Sequence, residues 1–234
     1  MIGPLNRIRQ RLRRRLAPVV VNRDPATVLR DVPEPYRERL LSMYAVEPQL
    51  GADGMLHPLD GITNISPEQG MALYRWACQS RATLEIGMAF GFSTLFFAAA
   101  GTAHTAIDPF QDSWYLGIGR TAVPTARWIN ERSDAAAIDF RRAGESFDLI
   151  YIDGNHRFDD VLTDFYLFAP LCRAHGIVVF DDVWMPSVET VVRFVRRNRA
   201  DFVHIPTPDA QNIAAFRKVW EDARDWQHYV PFSA

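Results

Sequence analysis

Two apolar runs joined by an acid-punctuated helix constrain this chain more than anything else in it. FDLIYI, beginning at Phe147, is short and rich in aromatic and branched residues, and it ends at Asp153. GIVVF, beginning at Gly176, is a second such run and ends at Asp181 and Asp182. Between them, Val161, Leu162, Phe165, Leu167 and Phe168 recur at helical spacing among Asp159, Asp160 and Asp164. Two buried strands joined by a helix form a parallel βαβ unit, which puts both strand C-termini on one edge of the sheet. Asp153, Asp181 and Asp182 are therefore expected to converge in the crevice where open α/β sheets bind ligands. His156 lies three residues past the first of them. Three crowded acids repel one another unless a cation or a proton intervenes. The pattern points to a divalent-metal site with a histidine beside it. The blander alternative is strand-end acids that cap helices and bind water.

Upstream, ATLEIGMAFGFSTLFFAAAG reads as a strand, a glycine turn and a helix. That order suits an anionic or hydroxyl-bearing ligand group at a helix N-terminus. Gly87 lets the backbone approach a ligand, and Glu85 at the strand end would attract a cationic one. The spacing is ExGxxxG, with Glu85 where a dinucleotide fingerprint needs its first glycine, which argues against a NAD-dependent oxidoreductase. TAHTAID is a second strand ending in Asp108, where nucleotide-type folds grip a ribose diol. AAIDF reads as a third strand, leaving only RRAGES before Phe147.

Charge divides the chain unevenly. Arg7, Arg9, Arg11, Arg13, Arg14 and Arg15 precede residue 19, where no acid occurs, so the net charge of −2 hides an acidic body. Leu5, Ile8, Leu12 and Leu16 recur among those arginines. They suggest an amphipathic arm for an anionic membrane surface or a partner subunit, against the alternative of a solvated arm. Nothing else points to nucleic acid. Pro25, Pro33 and Pro35 mark a linker, and a helix is expected over Pro35–Ala45. Residues 51–70 read as a lid or binding loop containing His57 and Asp60. Ser66 then caps a helix opened by Pro67. These features divide the chain into 1–64, an arm, helix and lid loop, and 65–234, the main domain. Cys78 and Cys172 lack metal spacing and read as free thiols. The chain shows neither a spanning run nor a signal-peptide core, so cytoplasm is the expected location.

LEIGMAFGFST, AIDPF, FDLIYIDGNH and GIVVFDDV together resemble the successive motifs of class I S-adenosylmethionine-dependent methyltransferases. The metal-dependent O-methyltransferases, sugar and catechol types, are the most similar group. The resemblance covers roughly residues 65–217. It implies a Rossmann-like, doubly wound, mostly parallel seven-stranded sheet with the last strand antiparallel, behind an N-terminal helical extension. It assigns Glu85, Gly87, Gly91 and Ser93 to the methionine part of the cofactor and Asp108 to its ribose. Asp153 belongs to both the cofactor rim and the chemistry. Asp153, Asp181 and Asp182 are the implied ligands of Mg²⁺, or of Mn²⁺ or Ca²⁺. His156 falls where catechol-type enzymes carry a lysine and sugar-methylating relatives a histidine, which favours a saccharide acceptor over a catechol. The short RRAGES segment departs from the family, whose longer segment there covers the adenine, and Ser146, Arg142 and Asn155 are candidates to replace it. A non-catalytic S-adenosylmethionine-binding protein is the alternative from another class. A homo-oligomer is expected.

After Asp182, Val188, Val191, Val192 and Val195 mark a helix packed on the sheet. Trp184 is either a wall of the acceptor pocket or a core aromatic. Phe202–Ile205 and Asn212–Phe216 read as the last two strands.

Overall fold

Side chains alternate between two cores along each central strand. Leu149 and Tyr151 belong to one buried cluster, and Ile150 and Ile152 to the other. The next run repeats the pattern, with Ile177 and Val179 opposed to Val178 and Phe180. A sheet covered on both faces needs such unbroken apolar runs. The computed structural model describes residues 24–45, 65–89, 91–110, 123 and 125–232. The basic arm and most of the expected lid loop, with His57 and Asp60, lie outside the described residues.

The described elements run α1 (Pro25–Val28), α2 (Tyr36–Tyr44), α3 (Pro67–Ala77), β1 (Ala82–Ile86), α4 (Phe92–Ala99), β2 (Ala103–Ile107) and β3 (Arg127–Ile129). They continue with α5 (Ser133–Ala143), β4 (Phe147–Ile152), α6 (Phe158–Phe168), a 3₁₀ turn, β5 (Cys172–Phe180), α7 (Pro186–Asn198), β6 (Phe202–Ile205) and β7 (Ala214–Lys218). One seven-stranded sheet has the order β3-β2-β1-β4-β5-β7-β6. β3, β2, β1, β4 and β5 pair in parallel, whereas β7 runs antiparallel between β5 and β6. The fold is therefore the expected doubly wound one. Helices α5, α6 and α7 cover one face, through Phe140, Phe165, Phe168, Val191 and Val195. Helices α2, α3 and α4 cover the other, through Leu40, Leu73, Leu95 and Phe96. Leu29, Val32 and Leu40, upstream of residue 64, are buried in the same core as α3 and α4.

One expected strand is corrected. AAIDF is not a strand but part of α5, and the third strand is the three-residue Arg127–Ile129. Three consecutive alanines favour a helix, and Gly144, left-handed at φ 68°, ends it. The connection from β3 to β4 is thus a whole helix, so the expected deficit of chain before Phe147 disappears. The proposed substitutes move with it. Ser146 precedes β4 and accepts from Arg173 Nε at 3.0 Å, at the sheet edge opposite Asp153. Arg142 is exposed on the last turn of α5. Of the three candidates, Asn155 alone lies past the C-terminal end of a strand, where its Oδ1 accepts from the Arg157 N–H.

Candidate active site

The strand order reverses between β1 and β4, and a sheet of this kind opens its ligand crevice there, outside the strands' carboxyl ends. Four motif residues stand in a row along that edge. Asp108, Gly87, Asp153 and Asp181 each directly follow a strand. Each donates its N–H to the last carbonyl of a neighbouring strand, at 3.0 Å to Ile129, 2.9 Å to Ile107, 2.9 Å to Ile86 and 3.1 Å to Ile152. The parallel ladder is in effect one rung longer than the strands, and that rung carries the motifs.

Gly87 is left-handed at φ 84°, and a Cβ there would collide with the backbone carbonyl of Asp153. The first and third motifs therefore touch through a glycine that no other residue could replace without strain. Gly91, at φ 80°, opens α4 with no side-chain cap, leaving the helix's first amides for other partners. Asp108 shapes the turn between them: Oδ2 accepts from Met88 N at 3.1 Å and Ala89 N at 3.2 Å, and Oδ1 from Phe110 N at 2.8 Å. An ionised carboxylate has about four acceptor positions, so capacity for a further hydroxyl donor remains.

Glu85 and Ser93 sit differently from the reading that aims them at a ligand. Glu85 is wholly buried. It accepts from Ser93 Oγ, from Thr94 Oγ1 at 2.6 Å and pairs with His104 Nε2 at 3.2 Å. His104 in turn meets Thr83 Oγ1 at 2.9 Å and stacks on Phe97. The acid thus ties the first turn of α4 to β1 and β2, holding the cradle from behind. His104 carried no recognisable motif signal.

At the other end of the row, Asp153, His156 and Asp182 offer ligand atoms all within 4.8 Å of one another. His156 Nε2 stands 3.4 Å from Asp153 Oδ1 and 3.3 Å from Asp182 Oδ2, bridging the two carboxylates. Their side chains remain 23%, 31% and 21% exposed for Asp153, His156 and Asp182, open to a ligand yet held by the fold. The backbone at Asp182 is left-handed, φ 51°, a conformation that Asp and Asn tolerate better than most side chains. Its Oδ1 accepts from Trp184 Nε1 at 2.8 Å. Trp184 is therefore not a core aromatic but a half-buried donor to the acid. Ser187 Oγ donates to the His156 carbonyl at 2.6 Å, fixing the turn from α7.

Asp181 is buried behind this trio, and the structure does not group its oxygens with the other three. Oδ1 accepts from Gln69 Nε2 at 3.0 Å and Oδ2 from the Tyr151 hydroxyl at 2.6 Å. Burial and the charges of Asp153 and Asp182 push its carboxyl well above the ordinary range, against the Tyr151 hydrogen bond. Asp153 rises to about 6, through burial and the neighbouring Asp182 and Glu85, with His156 opposing. For His156, burial opposes protonation but is outweighed by the Asp153 hydrogen bond and the three nearby carboxylates, so its affinity for a proton rises. Asp153 and Asp181 are short of positive charge, and carboxylate oxygens gathered at one rim fit a hard divalent cation such as Mg²⁺ or Mn²⁺.

Residues 84–183, which contain the whole row, match a family model described as a methyltransferase domain. No curated protein sequence matches the chain. Among solved structures the fold is similar to an O-methyltransferase from Bacillus cereus in complex with SAH (TM-score 0.55, 20% identity, 91% of this chain and 97% of that one). It is also similar to a methyltransferase from Podospora anserina bound to SAH (TM-score 0.56, 16% identity, 95% and 99%).

Proposed function

We propose that this chain, whose residues 84–183 match a family model described as a methyltransferase domain, is an S-adenosylmethionine-dependent O-methyltransferase acting on a hydroxyl of a small molecule, with a saccharide as the favoured acceptor. One observation carries the reading. The glycine turn that suits a methyl donor and the Asp153–His156–Asp182 group occupy adjacent positions on a single strand-end rim. When bound, the cofactor supplies a sulfonium methyl, and a divalent cation held by Asp153 and Asp182, with Asp181 behind them, supplies Lewis acidity toward the acceptor hydroxyl.

The chain's own residues account for the remainder. Gly87 and the open first turn of α4 admit the cofactor's methionine portion, and Asp108 faces its ribose. His156 Nε2 receives the proton that the hydroxyl loses as its oxygen takes the methyl. An imidazole between two carboxylates holds that proton well, and its charge then balances theirs. Much of the acceleration comes from fixing donor and acceptor at adjacent rim positions.

Methyl transfer from labelled cofactor to a panel of mono- and oligosaccharides and catechols, with Mg²⁺ or with EDTA, tests the reading. Transfer to a saccharide that EDTA abolishes is the expected result. Transfer confined to catechols would move the acceptor class, transfer indifferent to EDTA would remove the cation, and binding without transfer to any acceptor would favour a non-catalytic cofactor-binding protein. His156→Ala should lower kcat by roughly 10²–10⁴-fold, with the Kd for cofactor nearly unchanged.

A further inference from the structure

The acid cluster is also held from α3, an element the mechanism above leaves unused. Gln69 is 112 residues from Asp181 in sequence, yet its buried amide spans two jobs. Its Oε1 accepts the Ser66 backbone N–H at 2.8 Å, completing a capping box with the Ser66 hydroxyl, and its Nε2 donates to Asp181 Oδ1. Tyr151, fully buried in β4, donates to the other oxygen.

Capping boxes take Glu or Gln equally well at this position. Here a glutamate would bring a third oxygen lone pair against a buried carboxylate, whereas the amide accepts at one end and donates at the other. The last torsion of an aspartate is broad and soft. One donor leaves it loose; two donors on opposite oxygens fix the plane of the carboxylate. We propose that Gln69 and Tyr151 are positioning residues that fix Asp181 behind the cation site, so that the first turn of α3 sets the geometry of the carboxylates in front of it. The inference rests on the cation-dependent reading above.

Mn²⁺ binding, followed by electron paramagnetic resonance, separates the two. The full chain is compared with Gln69→Met and Tyr151→Phe, and each change is repeated in an Asp181→Ala background, with thermal unfolding measured in parallel. Each single change should weaken Mn²⁺ binding by roughly 10–100-fold, the usual effect of disturbing the groups that stand behind a metal's ligands. In the Asp181→Ala background neither should weaken it further, because the group they position is gone. Single variants that bind Mn²⁺ as the unaltered chain does, or that lose the same factor in both backgrounds, would overturn the inference while leaving the cation intact. An unaltered chain that binds no Mn²⁺ would overturn the cation reading and the inference together. A role in helix capping alone would lower the unfolding temperature of Gln69→Met with no change in affinity, and Tyr151→Phe, which touches no cap, would then bind normally.

Discussion

Gly87 shows how much one missing methyl group decides. Its positive φ is expensive for any L-residue, on the order of 1–3 kcal/mol, and the carbonyl of Asp153 fills the space a side chain would need. Gly87→Ala should therefore lower the unfolding temperature by on the order of 5 °C and abolish cofactor binding measured by calorimetry. Retained binding would mean that the turn is not where the cofactor enters. The motif residues Asp108, Asp153, His156 and Asp182 were readable because each directly follows an apolar run or lies within three residues of one that does. Gln69, Tyr151 and His104 were not. A glutamine in a capping box, a tyrosine inside a strand and a histidine in a strand have ordinary local explanations, and only the folded chain brings them to an acid. Glu85 was legible as a motif member, but its partners Ser93, Thr94 and His104 turn it inward, which spacing alone does not reveal.

Elements were legible in proportion to their length and pattern. β4 follows from an apolar run, α6 and α7 from a 3.6-residue stripe, β1 from its place before the glycine turn, and the Ser66–Pro67 start of α3 from its cap. β3 has three residues, two of them Arg and Trp, and offers no period to read. AAIDF looked extended because its apolar residues are clustered, yet Gly144 as a left-handed terminator and the alanine run were the better signals. Helix α3 meets α4 through Gly70, where a Cβ would run into the ring of Phe96, itself fully buried and unable to swing out. Alanine gains about 1 kcal/mol over glycine inside a helix, whereas overpacking a filled core costs about 1–3 kcal/mol. The second term should win. Gly70→Ala is expected to be destabilising in denaturant unfolding despite its better propensity; a gain in stability would show that α3 can shift outward freely.

Across the whole molecule, two sets of titrating groups act in opposite directions. Asp222 is held down to about 2 by the Arg224 hydrogen bond, so its stabilisation is present above the unfolded carboxylate value and is lost only as pH falls toward 2. Asp153 is raised to about 6. So is Asp164, through burial with Ser133 opposing, and His156 is raised as well. The folded chain holds these protons more tightly than the unfolded one, so their contribution is full below about pH 4 for the acids and below 6.5 for the imidazole. It fades as pH rises through the folded values. Without a cation, the unfolding temperature should decline between about pH 4 and 7. On the proposed reading Mg²⁺ would replace the lost protons, so its stabilising effect in thermal scans should be slight near pH 4.5 and grow toward pH 7.5. A Mg²⁺ effect of constant size across that range would count against cation binding at these carboxylates.

The extra rung along the sheet edge has a consequence for redesign. Because Asp108, Gly87, Asp153 and Asp181 each hang from an adjacent strand's final carbonyl, inserting or deleting a single residue within β1, β2, β4 or β5 would turn one of them to the opposite side of the sheet. Apolar substitutions of like size inside those strands leave the row in place; changes of length do not. Efforts to change what the rim binds belong in the connecting segments, where added or removed residues leave the spacing of the row untouched.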